Sequence, residues 1–398
     1  MIFSVYLCLC LLKGVETDMR HKSRHKGPVI TMLWNTALEV KTRVAVGAGA
    51  RTKLSGTLAQ IGAGKHVLVL CQHSAAVHWL RDVLSQLPSE DYQVTTLEVP
   101  DGDACKSTDW LIRIWDHLQE RGFNRQDSIV ALGGGSVSDL AGFAAATYMR
   151  GLNLVVVPTS LLAQVDASIG GKNAINLPQG KNLAGTFYFP KAVLADQELL
   201  ATVPKAQLMS GVAEILKYAL IEETVAKHSD YEKGPKPIIE ILESVINDGF
   251  DVEDPQVAGL ITSCIKMKLF VVARDPRDTN LRRVLNLGHT LGHALESVGE
   301  FKLSHGEAVG VGIVHAAKLA VAQKKLPKAE LERIKDILFK AELPMEIPAK
   351  TSKEKLIACM ELDKKREGDK MKLILPDGKL GTVDYDYSLP ISDLGKLV

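Results

Sequence analysis

The spacing of apolar positions changes near residue 205. Upstream, short unbroken apolar runs end in loop residues: TRVAVGAG from Thr42, KHVLVLCQ from Lys65, SIVALGGG from Ser128 and NLVVVPTS from Asn153. Such runs predict buried strands. YQVTTLEVP adds another strand, while AAVHWLRDVLSQL and STDWLIRIWDHLQERG carry helical spacing, the latter with a glycine stop. Strand alternating with helix implies a mainly parallel Rossmann-like sheet with crossover helices. Downstream, KAQLMSGVAEILKYALIEE, PKPIIEILESVIN, VAGLITSCIKMKLFVVAR, GEAVGVGIVHAAKLAVAQK and KAELERIKDILFKA all repeat near 3.6 residues. Only KMKLILPDGKLGTVDY reads as β, a hairpin around its Asp-Gly pair. The pattern therefore predicts an α/β domain over residues 36–205 and a mainly α-helical domain over 206–398, behind an extension at 1–35.

Length agrees with this division, since 398 residues exceed one ordinary core. A formal net charge of +1 lacks the basic excess of a nucleic-acid or membrane-surface binder. The expected partner is a small molecule held at a local charge cluster, with no nucleic acid and no membrane. Six scattered cysteines without a CxxC pair read as reduced thiols of an intracellular protein. The apolar run IFSVYLCLCLL is too short to span a bilayer and lacks a preceding basic segment. An organellar presequence and a misassigned start both remain open. The expected location is the cytoplasm, or a plastid if residues 1–35 are a presequence.

Four stretches carry candidate chemistry. ALGGGSVSDLAGFAAATYMRG sets three glycines between a strand and a helix, where backbone N–H groups can approach a phosphate. VPTSLLAQVDASIGGKNAINLPQGKNLAGTF reads as a glycine-bearing loop. It packs Asp166, Lys172, Asn173, Asn176, Lys181 and Asn182 into 17 residues, which suits a polyhydroxylated anionic ligand. SGVAEILKYAL places Glu214 and Lys217 three apart on an apolar helix, either a simple ion pair or a metal ligand with a neighbour. LNLGHTLGHALE stacks His289 and His293 on one helical face, and KLSHGEAVG adds His305. Zinc suits such donors, and spacing alone nominates both His289 and His293 as ligands.

Together these blocks resemble the 3-dehydroquinate synthase family of sugar phosphate cyclases. The likeness runs in order from about residue 95 to about residue 375 through PDGDACK, GGGSVSDLAGFAAATYMRG, PTSLLAQVDASIGGKNAIN, GKNLAGTFYFPKAVLAD, GVAEILKYALI, LNLGHTLGHALE, LSHGEAVGVG and LDKK. The resemblance implies NAD and Zn2+, or Co2+, as cofactors. It implies conversion of 3-deoxy-D-arabino-heptulosonate 7-phosphate to 3-dehydroquinate and phosphate. The steps are transient oxidation by NAD, β-elimination, re-reduction and intramolecular aldol closure.

The same resemblance implies metal ligation by Glu214, His289 and His305, and moves His293 to the substrate. Asp166, Lys172, Asn182, Lys217, Lys268, Arg282 and Asn286 match substrate-contacting positions, with Lys268 and Arg282 on the carboxylate. Arg150 matches a residue that reaches the partner's site, which implies a homodimer. The implied NAD contacts are Asp101, Gly102, Lys106, Gly134, Gly135, Ser136, Val137, Ser138, Asp139, Thr159, Ser160, Lys172, Lys181 and Thr202. Ser138 stands where the family commonly has glycine, and Cys105 where it has an aromatic. LCQHSA lacks an acidic residue for the adenosine ribose, leaving Gln72 or His73 to take that contact. Lys364, Lys365 and Lys372 are further candidates for the substrate phosphate.

Three alternatives compete. A cyclase acting on sedoheptulose 7-phosphate would have no carboxylate for Lys268 and Arg282 to hold. A glycerol-dehydrogenase-like oxidoreductase would release NADH and would not need so many lysines. A non-catalytic relative would be expected to have lost Glu214, His289 or His305.

Overall fold

A computed structural model of the chain describes residues 16–17, 30–35, 41–178, 180–299, 303–361 and 366–398. Its strands are β1 (Glu16–Thr17), β2 (Ile30–Asn35), β3 (Lys41–Val46), β4 (His66–Gln72), β5 (Gln93–Val99), β6 (Ser128–Gly133), β7 (Asn153–Pro158), β8 (Lys172–Leu177), β9 (Gly180–Phe187), β10 (Ala192–Ala195), β11 (Arg366–Glu367), β12 (Lys370–Pro376) and β13 (Val383–Pro390). Its helices are α1 (Leu54–Gln60), α2 (His73–Leu84), α3 (Thr108–Glu120), α4 (Gly135–Thr147), α5 (Lys205–Ala226), α6 (Ile238–Asn247), α7 (Pro255–Arg274), α8 (His289–Val298), α9 (His305–Ala322), α10 (Lys328–Lys340) and α11 (Lys353–Glu361). Two compact units result: Met1–Val203 with Val252–Leu269, and Pro204–Asp251 with Phe270–Val398.

The first unit has the mainly parallel sheet expected. Its strand order is β1-β2-β3-β10-β7-β6-β4-β5, parallel from β3 to β5, with β1 and β2 added antiparallel. The apolar runs are unbroken because interior parallel strands are covered on both faces. Val67 to Cys71 and Ile129 to Leu132 are fully buried accordingly. Strand β2 lies inside the extension that the apolar pattern had set aside.

The polar stretch before residue 187 is not a loop. β8 and β9 form an antiparallel hairpin, and Gly185 allows the close approach, since an added Cβ would lie 2.2 Å from the Asn173 carbonyl. Asn173 itself is structural: its buried amide donates to the carbonyls of Gly171 and Tyr188.

The second unit is helical around α5, with a small antiparallel sheet of β11, β12 and β13. The hairpin expected around the Asp-Gly pair is present, with residues 377–382 joining β12 to β13 and closing through the Asp377 N–H to the Thr382 carbonyl. Helix α9 starts in a capping box: Ser304 accepts from the Glu307 N–H, and Glu307 accepts from the Ser304 N–H. Helices α8 and α9 meet through glycines. A Cβ at Gly312 would fall 1.9 Å from the Gly288 carbonyl, and one at Gly292 would fall 3.2 Å from the Ala308 carbonyl.

Among the described residues, α7 is long and apolar enough to cross a membrane. Its apolar positions Val257, Leu260, Ile261, Ile265 and Met267 are instead buried within the protein.

These packings separate two kinds of helical glycine. Gly312→Ala should cost about 1–3 kcal/mol, because backbone blocks the new methyl. Exposed Gly259 on α7 has open space around it, so Gly259→Ala should stabilise by about 0.5–1 kcal/mol. Urea denaturation of the two variants checks both signs.

Candidate active site

The second unit builds one centre from three segments distant in sequence. Glu214 projects from the buried middle of α5, where burying a carboxylate is costly unless it is paired. Its Oε2 meets the Lys217 ammonium one turn further along the helix, and Lys217 is also buried. Its Oε1 faces two imidazoles, 3.2 Å from His305 Nε2 and 3.6 Å from His289 Nε2. His289 opens α8 and His305 opens α9, so the glycine contacts between those helices set the spacing of the rings.

Each ring is oriented by its other nitrogen. His289 Nδ1 lies 3.0 Å from the Leu287 carbonyl, and His305 Nδ1 lies 3.2 Å from Glu296 Oε2. Acceptors on Nδ1 keep a proton there, so Nε2 is the nitrogen that faces Glu214 and that a cation would take. One carboxylate oxygen and two imidazole nitrogens thus lie within 4.8 Å of one another. That donor set fits a divalent cation of the zinc type with a coordination position left for a substrate. His293 stands one turn after His289, exposed, with its ring centroid 5.3 Å from that of His289.

Buried Arg282 donates from Nη1 to the Pro276 carbonyl, and Asn286 donates to the Arg283 carbonyl. The loop before Arg282 is fixed by Asp275, whose carboxylate accepts from the N–H groups of Thr279, Asn280 and Arg282. Burial works against charge on Asp275, yet those N–H groups hold it below the usual carboxylate range. Lys372 pairs with Asp386, while Lys364 and Lys365 lie outside the described residues.

In the first unit, β6 runs through Gly133 and Gly134 into α4. Gly133 has φ 149, and Gly134 caps the helix with no side-chain hydrogen bond. The first-turn N–H groups of Gly135, Ser136 and Val137 are arranged as an anion site requires. Around this terminus the fold gathers Asp103, Lys106, Ser136, Asp139, Lys181 and Asn182. Lys106 reaches Asp139 at 2.6 Å and also Asn182, while Asp103 accepts from the Ser136 hydroxyl and pairs with Lys181. Burial lifts the Asp139 carboxyl to about 6 against the pull of Lys106. Lys268 lies buried with its ammonium 2.7 Å from Asp166 Oδ2.

Other nominated residues are held differently. Asp101 accepts from the N–H and hydroxyl of Ser74, and Gly102 supplies the left-handed turn after it. Thr159 donates its N–H to the Gly133 carbonyl, and the Ser160 hydroxyl accepts from the Ala163 N–H. Thr202 accepts from the Trp79 indole. Ser138 returns its hydroxyl to the Gly134 carbonyl, and Lys172 begins β8 exposed. Arg150 is exposed with φ 67.

Gln72 and His73, at the end of β4, both have partners within the chain. Buried Gln72 accepts from the Gly134 N–H at 2.8 Å, and His73 pairs with Glu98 at 2.6 Å. Gln72 therefore shapes the glycine turn. The sequence reading also passed over Glu296 and Ser210. Glu296 was visible as the position seven after His289, on the same helical face. Ser210, which receives the Gly306 N–H at the start of α9, left no sequence signal.

The histidines give the metal-free protein a pH signature. Burial drives His289 well below the usual imidazole range. Burial opposes charging of His305 too, but Glu214 and Glu296 outweigh it and raise His305 from 6.5 to about 10. A raised folded value contributes stability in full below the unfolded value, and that stability is lost as pH rises through the folded one. Urea unfolding of the metal-free protein should therefore show stability falling between pH 6.5 and about 10. His305→Gln should flatten that window.

Comparison with known proteins agrees with this geometry. Residues 96–210 match the family model described as 3-dehydroquinate synthase N-terminal, and residues 211–366 match the one described as 3-dehydroquinate synthase C-terminal. The 3-dehydroquinate synthase of Legionella pneumophila (strain Corby) is 39% identical over 312 residues, covering 78% of this chain and 81% of that protein. That of Prochlorococcus marinus (strain MIT 9312) is 35% identical over 367 residues, covering 91% and 96%. Among solved structures, 2-deoxy-scyllo-inosose synthase complexed with carbaglucose-6-phosphate, NAD+ and Co2+ superposes with a TM-score of 0.77. It is 25% identical, over 92% of this chain and 98% of that one. With both family models matched in order across its two units, the chain belongs to the 3-dehydroquinate synthase family.

Proposed function

We propose that the protein is a phosphate-eliminating carbon–oxygen lyase that converts 3-deoxy-D-arabino-heptulosonate 7-phosphate to 3-dehydroquinate and inorganic phosphate. The observation that carries this reading is the cluster of Glu214, His289 and His305 with Lys217 on the second carboxylate oxygen, in a chain of this family. Those three side chains would hold Zn2+ or Co2+, and the N-terminus of α4 with Asp101, Lys106 and Lys181 would hold NAD. When bound, NAD supplies reversible hydride acceptance, and the cation supplies Lewis acidity toward neighbouring hydroxyls.

The chain's own residues then bind, orient and balance charge. Lys217 keeps one Glu214 oxygen occupied, so the carboxylate offers the other to the cation. Lys268 and Arg282, each buried in its own unit, are the cations that would hold the substrate carboxylate, as the family resemblance implies. Asn182, Lys217, Asn286 and exposed His293 would surround the phosphate, and Asp166 and Lys172 would contact the sugar hydroxyls. With the leaving group and the ring-forming carbons held in place, elimination and closure draw on orientation more than on a strong protein base. Exposed Arg150, in its left-handed backbone conformation, would reach the site of a partner in a homodimer.

A cyclase reading also has an observation in its favour, because the solved relative is complexed with a sugar phosphate analogue. Lys268 and Arg282 weigh toward the acid substrate. Phosphate release should be seen with the heptulosonate phosphate, NAD and Zn2+, and should stop with chelator. Release from sedoheptulose 7-phosphate alone would overturn the choice of substrate. His305→Ala should abolish tight zinc binding. His293→Ala should keep zinc and lose about a hundredfold or more in turnover. Equal zinc loss in both variants would show that the metal set is wrong.

A further inference from the structure

We propose that Glu296 is a positioning residue that locks the ring of His305 for cation binding. This rests on the reading of Glu214, His289 and His305 as the ligand set. The two nitrogens of His305 face two different carboxylates: Nε2 lies 3.2 Å from Glu214 Oε1, and Nδ1 lies 3.2 Å from Glu296 Oε2. A neutral imidazole has one N–H and one lone pair, so a proton shared with Glu296 directs the lone pair to the Glu214 side.

His293, Glu296 and His305 also form a cluster of potential metal donors. That cluster is not a second cation site, because His305 cannot offer neutral lone pairs in both directions. His293 is exposed, and Glu296 serves better as the acceptor that sets the tautomer.

The supporting structure accounts for why His305 needs this partner. His289 takes its orientation from the backbone carbonyl of Leu287, two residues away, which its own turn provides. His305 is the first residue of α9, where the preceding chain offers its ring no such carbonyl contact among the described hydrogen bonds. The backbone there is fixed by the Ser304 cap and by the Gly306 N–H donating to Ser210. Only the side-chain torsions remain to be set. Glu296, two helical turns after His289 on α8, brings the required acceptor from the neighbouring helix.

The test uses full-length protein stripped of metal, with zinc affinity measured by competition against a chromogenic chelator and with Co2+ as a spectroscopic probe. Glu296→Ala should weaken zinc binding by about 10–100-fold and change the visible Co2+ spectrum. Glu296→Gln, which keeps an acceptor without the charge, should recover part of the affinity. Metal-free melting temperatures show whether the fold is intact, and if Glu296→Ala does not fold, Glu296→Gln decides by weakening zinc about three- to tenfold. Affinity and spectrum equal to the unsubstituted protein in both variants would overturn the role of Glu296 alone. No zinc binding by the unsubstituted protein would overturn the ligand set, and this inference with it.

Discussion

The second unit depends on one buried carboxylate. Glu214 sits in the most deeply covered stretch of α5, and its charge is stable there only with partners at both oxygens. Lys217 serves one oxygen from the same helix. The other is served by His289 and His305, which come from helices that begin 75 and 91 residues later in the chain. Meeting that demand obliges α8 and α9 to start beside α5 and beside each other. Gly288, Gly292 and Gly312 allow it, and the Ser304 capping box fixes where α9 begins. With one oxygen held by an ammonium, the carboxylate gives the other, and the donor set of Glu214, His289 and His305 would leave a tetrahedral cation one position open. That openness distinguishes a site that works on a substrate from one that merely stitches a fold.

The first unit presents a different feature, a helix N-terminus whose amides suit an anion. The glycine turn after β6 leaves the first amides of α4 without a side-chain cap, and Gln72 holds the turn from behind. Cations and anions alternate around it. Lys106 and Lys181 are each balanced by a carboxylate, Asp139 and Asp103 respectively, so their charge is positioned rather than diffuse. Asn176 bonds through its N–H to the Lys106 carbonyl and through its amide oxygen to the Asn182 N–H, which ties the β8–β9 hairpin to this cluster.

How much of this was legible in the sequence follows from the range of the interactions. Strands β4, β6 and β7 were readable because burial on both faces leaves an unbroken apolar run. β10 escaped because four residues carry too little pattern, although it sits in the middle of the sheet. The hairpin escaped because β9 is largely exposed and carries no apolar alternation, and its pairing rests on Gly185 and Asn173 instead. In the site, residue types were readable and ring directions were not. His289 and His293 share a face, but which ring turns to Glu214 is decided by the Leu287 carbonyl and by a carboxylate on another helix. Gln72 shows the same limit: its hydrogen bond from the N–H of Gly134, 62 positions away, is set by the tertiary fold and leaves no local signal.

The central claim is that buried Glu214 gathers a single cation with two imidazoles. X-ray absorption at the zinc edge, on full-length protein reconstituted with zinc, tests it most directly. The account predicts one zinc per chain, with two imidazole nitrogens, the remaining donors oxygen, and no sulfur. A third imidazole that disappears in His293→Ala, or a chain that takes up no zinc, would contradict it.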